Sequence, residues 1–111
     1  MSRNKSVPSL THLHYLVLGV LRSGEQPGRV LRRVLAAYGV KRTAPAFYQL
    51  MARLETSRLV EGWYEQVVVH DQAVTERRYR ITAEGTKAWN QARAFYADIE
   101  ERATEVRWSD A

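Results

Sequence analysis

Apolar residues recur along this chain in three helical runs, then an alternating stretch, then a long heptad. The first run, Leu10-Thr11-His12-Leu13-His14-Tyr15-Leu16-Val17-Leu18-Gly19-Val20-Leu21, is apolar on nearly every side of a helix, which predicts an element buried in the middle of the domain. Arg22 to Gly28 supplies turn chemistry. A second helix, about Arg29 to Tyr38, places Val30, Leu31, Val34, Leu35 and Tyr38 on an inner face and Arg29, Arg32 and Arg33 on an outer one, with Gly39 as a left-handed residue just past its end. The third run covers Thr43 to Val60. Phe47, Leu50, Met51 and Leu54 fall at i, i+3, i+4 and i+7 and face a core, while Tyr48, Gln49, Ala52 and Arg53 face outward.

After Val60 the period changes from helical to extended. Gly62 to Val69 is rich in aromatic and β-branched residues, and Arg77 to Thr82 alternates Tyr79 and Ile81 with Arg78 and Arg80. The polar stretch His70 to Glu76 between them reads as a hairpin loop of moderate length. Thr82 then caps a final helix from Ala83 to about Val106, roughly 36 Å long. Its apolar positions Trp89, Ala92, Tyr96, Ile99, Ala103 and Val106 step by three and four residues, a heptad seam widened by Phe95. So long a helix has little core to pack against in a small domain, so the seam predicts a partner helix, hence a symmetric homodimer; the alternative is a monomer in which the helix folds back on the body.

Helix, helix, helix, hairpin is the order of a winged helix–turn–helix domain. The expected fold class is mainly α with a small β-hairpin, a winged helix–turn–helix plus one long C-terminal helix. The expected organisation is a flexible N-terminal arm (1–9), a winged-helix DNA-binding domain (10–82), a C-terminal dimerisation helix (83–107) and a short tail (108–111).

Charge adds a partner to this picture. The 111 residues carry 17 Lys/Arg against 12 Asp/Glu. The excess sits in the body, with 13 Lys/Arg against 6 Asp/Glu over residues 1–82, whereas residues 83–111 hold 4 against 6. A basic body with a slightly acidic tail fits a polyanion partner, double-stranded DNA here, although basic proteins that bind no nucleic acid are also common. Lys41 and Arg42 directly precede Thr43, a candidate N-cap, and Pro45 is tolerated in the first turn. Two cations thereby meet a helix N-terminus, where a phosphate is favoured; the plain reading is a well-capped helix with solvated neighbours. Arg29, Arg32 and Arg33 are likewise either a solvated face or a phosphate-contacting stripe. Gln49 and Arg53 are the candidates for base-edge contact, since an amide pairs with adenine and a guanidinium with guanine.

Other chemistries find little footing. There is no cysteine, which removes disulfides, thiolate zinc sites and thiol nucleophiles. His12 and His14 are two residues apart and lie on different faces of a helix, so no metal or cofactor is expected. With no Gly-rich phosphate loop and no catalytic constellation, an enzyme is the weakest reading. The chain has no apolar run of membrane length and no cleavable leader pattern, so the expectation is a cytoplasmic protein without membrane contact.

With these residues in view, the chain resembles the PadR-like transcriptional regulators, specifically the short members with a single C-terminal dimerisation helix. Phe47-Tyr48-Gln49-Leu50-Met51-Ala52-Arg53-Leu54-Glu55 followed by Leu59-Val60 is similar to the family's aromatic-bearing recognition helix. Arg77-Arg78-Tyr79-Arg80-Ile81-Thr82-Ala83-Glu84-Gly85 looks like its basic-aromatic strand and Thr-x-x-Gly helix start, and Leu18-Gly19-Val20-Leu21 matches its first helix. The resemblance spans roughly residues 10–105. It implies a homodimeric repressor on a pseudo-palindromic operator, phosphate contact by Tyr48 and by the wing residues Arg77 and Arg78, and an aromatic small-molecule effector between the C-terminal helices and the body, for which Trp89 and Tyr96 are placed. Three features depart from the pattern: Ala44-Pro45-Ala46 replaces a more polar helix start, Arg58 stands where the family prefers Gly, and the hairpin tip lacks a Gly-rich basic loop. They motivate a second reading, a winged-helix protein-interaction module with reduced or lost DNA binding.

Overall fold

The computed structural model describes residues 8–109, with side chains as far as Val106. Most of the expected arm (residues 1–7) and the end of the tail (110–111) lie outside the described residues. The elements run α1 (His12–Leu21), β1 (Gln26–Pro27), α2 (Gly28–Ala37), α3 (Ala44–Thr56), β2 (Val60–Val69), β3 (Gln72–Ile81) and α4 (Ala83–Ser109). The mainly α architecture with a small antiparallel sheet is the one the periodicity implies.

Threonines set the starts of α1, α3 and α4. Thr11 Oγ1 accepts from the His14 N–H at 3.0 Å, Thr43 Oγ1 from Ala46 at 3.3 Å, and Thr82 Oγ1 from Gly85 at 2.9 Å, each quenching a donor that the helix leaves open. α2 ends on Gly39 at φ 87°, the left-handed conformation expected of a residue past a C-cap. The core gathers Val17, Leu18 and Leu21 of α1, Leu31 and Leu35 of α2, Phe47, Leu50, Met51 and Leu54 of α3, and Val60 and Tyr79 of the sheet. All four α3 positions of the apolar stripe are therefore buried.

Local expectations need correction in four places. Tyr38 is 68% exposed and does not belong to the inner face of α2, because it is the C-cap residue, where the helical phase has already been lost. The third helix stops at Thr56, and Val60 opens β2. Between them Arg58 takes φ 62°, the conformation for which Gly is the easier residue. The hairpin has no loop of moderate length: Val69 pairs with Gln72, leaving a two-residue turn of His70 (φ 51°) and Asp71 (φ 64°), and Gln72 to Glu76 belong to β3. Finally, Gln26 and Pro27, read as turn chemistry, form a third strand on β3, in the order β1-β3-β2. Pro27 sits there on an edge strand, where its missing N–H does no harm.

The Thr-x-x-Gly start of α4 has a packing reason. Thr82 donates its hydroxyl to the Arg58 carbonyl at 2.7 Å and its N–H to the Leu59 carbonyl at 3.1 Å. The first turn of α4 is thereby clamped to the turn that ends α3. Gly85 lies so close to the Leu59 carbonyl that a Cβ would collide with that backbone oxygen.

Candidate nucleic-acid interface

The outward face of α3 opens into two recesses of different charge. Tyr48 and Ala52 line one, of about 590 Å³, with Arg29, Glu55, Tyr64, Thr75, Glu76, Arg77 and Tyr79. Gln49 and Arg53 line the other, of about 360 Å³, with Thr11, Leu13, His14, Arg42, Ala46 and Leu50. The first mixes two arginines with two glutamates. The second holds two arginines and a histidine with no carboxylate.

Tyr48 leans toward the first recess. A Cβ added to Gly28, the first residue of α2, would come within 3.1 Å of its hydroxyl, and its ring meets Phe47 edge-on at 5.1 Å. The small residue at position 28 is what lets the tyrosine lie across the start of α2 while remaining 41% exposed.

The wing arginines are committed to carboxylates. Arg77 reaches Glu55 of α3 at 2.6 Å, and its guanidinium covers the Tyr64 ring at 4.7 Å. Arg78, with a side chain only 17% exposed, contacts Glu76 at 2.6 Å, Glu25 at 3.4 Å and Glu65 at 3.8 Å. The cross-strand register explains this convergence: Glu65 lies directly opposite Glu76, two like charges that would destabilise the pair, and Arg78 neutralises both from two residues away. Arg80 pairs with Glu61. Burial pushes the Tyr79 phenol up to about 12, against the lowering influence of Arg77, so it stays protonated at physiological pH.

The expected arginine stripe of α2 divides. Arg29 turns to the wing and meets Glu76 at 3.4 Å. Arg32 donates through Nε to the Arg42 carbonyl at 3.0 Å, which ties α2 to the segment before α3, and it meets no carboxylate among the described residues. Among the described residues Arg33, Lys41, Arg42 and Arg53 form no ion pair, and all four are exposed. The N-terminus of α3 contributes less than the sequence implies: Pro45 has no N–H, Ala46 is capped by Thr43 Oγ1, and Phe47 bonds the Thr43 carbonyl. Of those leading donors only that of Ala44 stays open, so phosphate affinity here rests on the Lys41 and Arg42 side chains.

The C-terminal seam is divided as well. Trp89 stacks on Tyr15 of α1 at 5.1 Å and 4°, under the Arg22 guanidinium at 4.0 Å, and approaches Gly19. Ala92 is buried. Tyr96 meets the Tyr15 ring edge-on at 6.3 Å but is 41% exposed, and Ile99 and Val106 are 47% and 59% exposed; Ala103 is exposed too. Trp89 thus packs on the chain's own α1, Tyr96 touches that helix while staying exposed, and Ile99, Ala103 and Val106 face outward. His12 lies beside Tyr96 and His14 beside α3, on different sides of α1 as their spacing implies.

No protein-family model matches the chain, and no curated protein does. Solved structures do. The chain is similar to a PadR family transcription regulator from Clostridium difficile R20291, with a TM-score of 0.70 and 14% identity over 86% of this chain and 98% of that one. It is similar to a PadR family transcriptional regulator from Eggerthella lenta DSM 2243, with 0.62 and 28% over 85% and 80%. The chain has the PadR-like fold. A third PadR-like similarity is to Bacillus subtilis PadR, solved in complex with operator DNA, with a TM-score of 0.57 and 17% identity over 72% of this chain and 45% of that one.

Two groups beside the candidate face of this PadR-like fold are not legible in the sequence. His14 reads in the sequence as an ordinary helix histidine rather than a metal ligand, yet it lines the cationic recess. Glu25 reads as turn chemistry, Glu65 as a strand residue and Glu76 as part of a polar loop, yet all three converge on Arg78. Neither was accessible to helix periodicity, because each depends on contacts between elements distant in sequence.

Proposed function

We propose that the protein is a DNA-binding transcriptional regulator acting as a homodimeric repressor on a pseudo-palindromic operator. The observation that carries this reading is the coincidence of an exposed Gln49/Arg53 face on α3 with cations that have no carboxylate partner among the described residues, Arg32, Arg33, Lys41 and Arg42. The Bacillus subtilis PadR–operator complex supports it at the level of the fold. In this assignment residues 10–82 form the DNA-binding unit and 83–107 the dimerisation helix. Lys41, Arg42, Arg32 and Arg33 contact phosphate and fix position, while Gln49 and Arg53 read base edges. Thr43 acts through its cap, which holds the start of α3 in place. Tyr48 meets phosphate from the mixed-charge recess, and Arg29, Arg77 and Arg78 contribute in proportion to how far the duplex draws them from their glutamates.

The exposed seam of Tyr96, Ile99, Ala103 and Val106 supplies the self-complementary face that a symmetric dimer needs. An aromatic effector would bind where Trp89 and Tyr96 lie between α4 and α1, and its release of DNA would follow from a shift in α4. The regulator would act in the cytoplasm. Selection of bound sequences from a random duplex pool tests the proposal. Enrichment of an inverted repeat with half-sites about one helical turn apart is expected, and recovery of no sequence above background overturns it.

A further inference from the structure

We infer that the recess between α1 and α3 is a proton-coupled phosphate site in which His14 is a binding residue. The recess brings together His14 from α1, Arg42 from the segment before α3, and Gln49 and Arg53 from α3. No carboxylate lines it. The imidazole has no hydrogen-bond or ion-pair partner among the described residues, and neither guanidinium has an ion pair. Arg42 and the uncommitted imidazole share one concavity with the added positive field of Arg53, the complement of a phosphate oxyanion, and this leaves the Gln49 amide and the Arg53 fork for base edges.

The histidine makes the site sensitive to pH. Burial, then the Arg53 charge, holds His14 below the usual histidine range, so the ring of the free protein is neutral at pH 7. Arg42 is the other charged group facing it across the recess. A phosphate seated there offsets the arginines and favours the imidazolium, so binding takes up a proton. The sign follows: affinity rises as pH falls through the His14 pKa of the complex, and levels off below that of the free protein, where the ring is charged in both states. One proton sets a ceiling of about tenfold per pH unit. His12, beside Tyr96, and His70, at the wing tip, lie outside the recess.

The phosphate can come from a duplex backbone or from a free anion, and only the first source rests on the proposed DNA-binding function. The experiment follows the His14 ring resonances by NMR over a pH titration of the full chain, alone, with a duplex of random sequence at low salt, and with inorganic phosphate. Fluorescence anisotropy of the same duplex runs in parallel. The expected result is a His14 pKa raised by duplex, with duplex affinity gaining roughly three- to tenfold between pH 8 and pH 6. His14→Gln, which keeps a polar side chain of similar reach, should flatten that slope to within about twofold while His12→Gln leaves it intact. A His14 pKa raised by inorganic phosphate as well identifies a site open to free anions. If it rises with phosphate alone and the duplex fails to bind, the site stands and the DNA-binding function falls. Duplex binding with an unmoved His14 overturns the site and spares the DNA-binding function. No duplex binding together with no response to phosphate overturns both.

Discussion

Arg53 and Arg78 carry the same charge in opposite circumstances. Arg78 is 83% covered by its surroundings and faces three glutamates, whereas Arg53 is exposed and faces another arginine and a histidine. Removing the first leaves carboxylates crowded on one sheet face; removing the second relieves repulsion in the free protein. An Arg53→Ala effect on DNA therefore reports on the complex rather than on folding. If Arg53 reads a guanine edge, the substitution should cost about 1–3 kcal/mol on the selected operator and leave random duplex nearly untouched. Parallel titrations of both duplexes check this, and equal losses would make Arg53 a backbone contact instead. The exposure of Arg53 was legible from helix phase. The neutralisation of Arg78 was not, because it arises from cross-strand register, which sets Glu65 against Glu76 and brings Glu25 in from the α1–β1 connection.

Among the elements, the wing departs furthest from its sequence pattern. Its strands are visible as alternation, but Ala73, Val74 and Thr75 sit inside a stretch bounded by polar residues that reads as a loop. The turn gave no warning either. Two-residue hairpin turns with both φ values positive favour Asn-Gly or Asp-Gly, and this one is His70-Asp71. Aspartate tolerates the left-handed region better than most residues yet still meets a steric cost that glycine avoids. Asp71→Gly should therefore stabilise the domain by roughly 0.5–1 kcal/mol, the left-handed cost of about 1–2 kcal/mol less about 0.4–1 kcal/mol of added freedom in the unfolded chain, seen as a higher midpoint in urea unfolding; a lower midpoint would mean that the glycine's extra freedom outweighs the relief of strain. The short β1 was illegible for a simpler reason: two residues cannot display a period, and Pro27 argues against a strand until its place on the sheet edge is known. By contrast, the core of α3 and the caps at Thr43 and Thr82 follow from patterns contained within a single turn or two of helix.

At the scale of the whole molecule the question is what α4 is for. Its heptad was legible as an association surface, but a period cannot distinguish a partner helix in the same chain from one in a second copy. The structure packs Trp89 on α1, buries Ala92, holds Tyr96 half-exposed against α1 and leaves Ile99, Ala103 and Val106 on the outside. Ile99 is the sharpest probe of the second half: it is 47% exposed and does not belong to the buried core, so a charge there spares the winged-helix body. In a symmetric dimer the substitution enters twice, and two carboxylates brought near the seam lose hydration without gaining a partner. Ile99→Asp is therefore expected to run as a monomer of half the wild-type mass by size exclusion with light scattering, with an unchanged urea midpoint for the body. An unchanged dimer mass would place the self-association surface elsewhere. The loss should propagate to DNA, because a dimer converts the second half-site contact into an intramolecular step. A monomer would then bind the full operator weaker by roughly 10²-fold or more while binding random duplex almost as well per protomer.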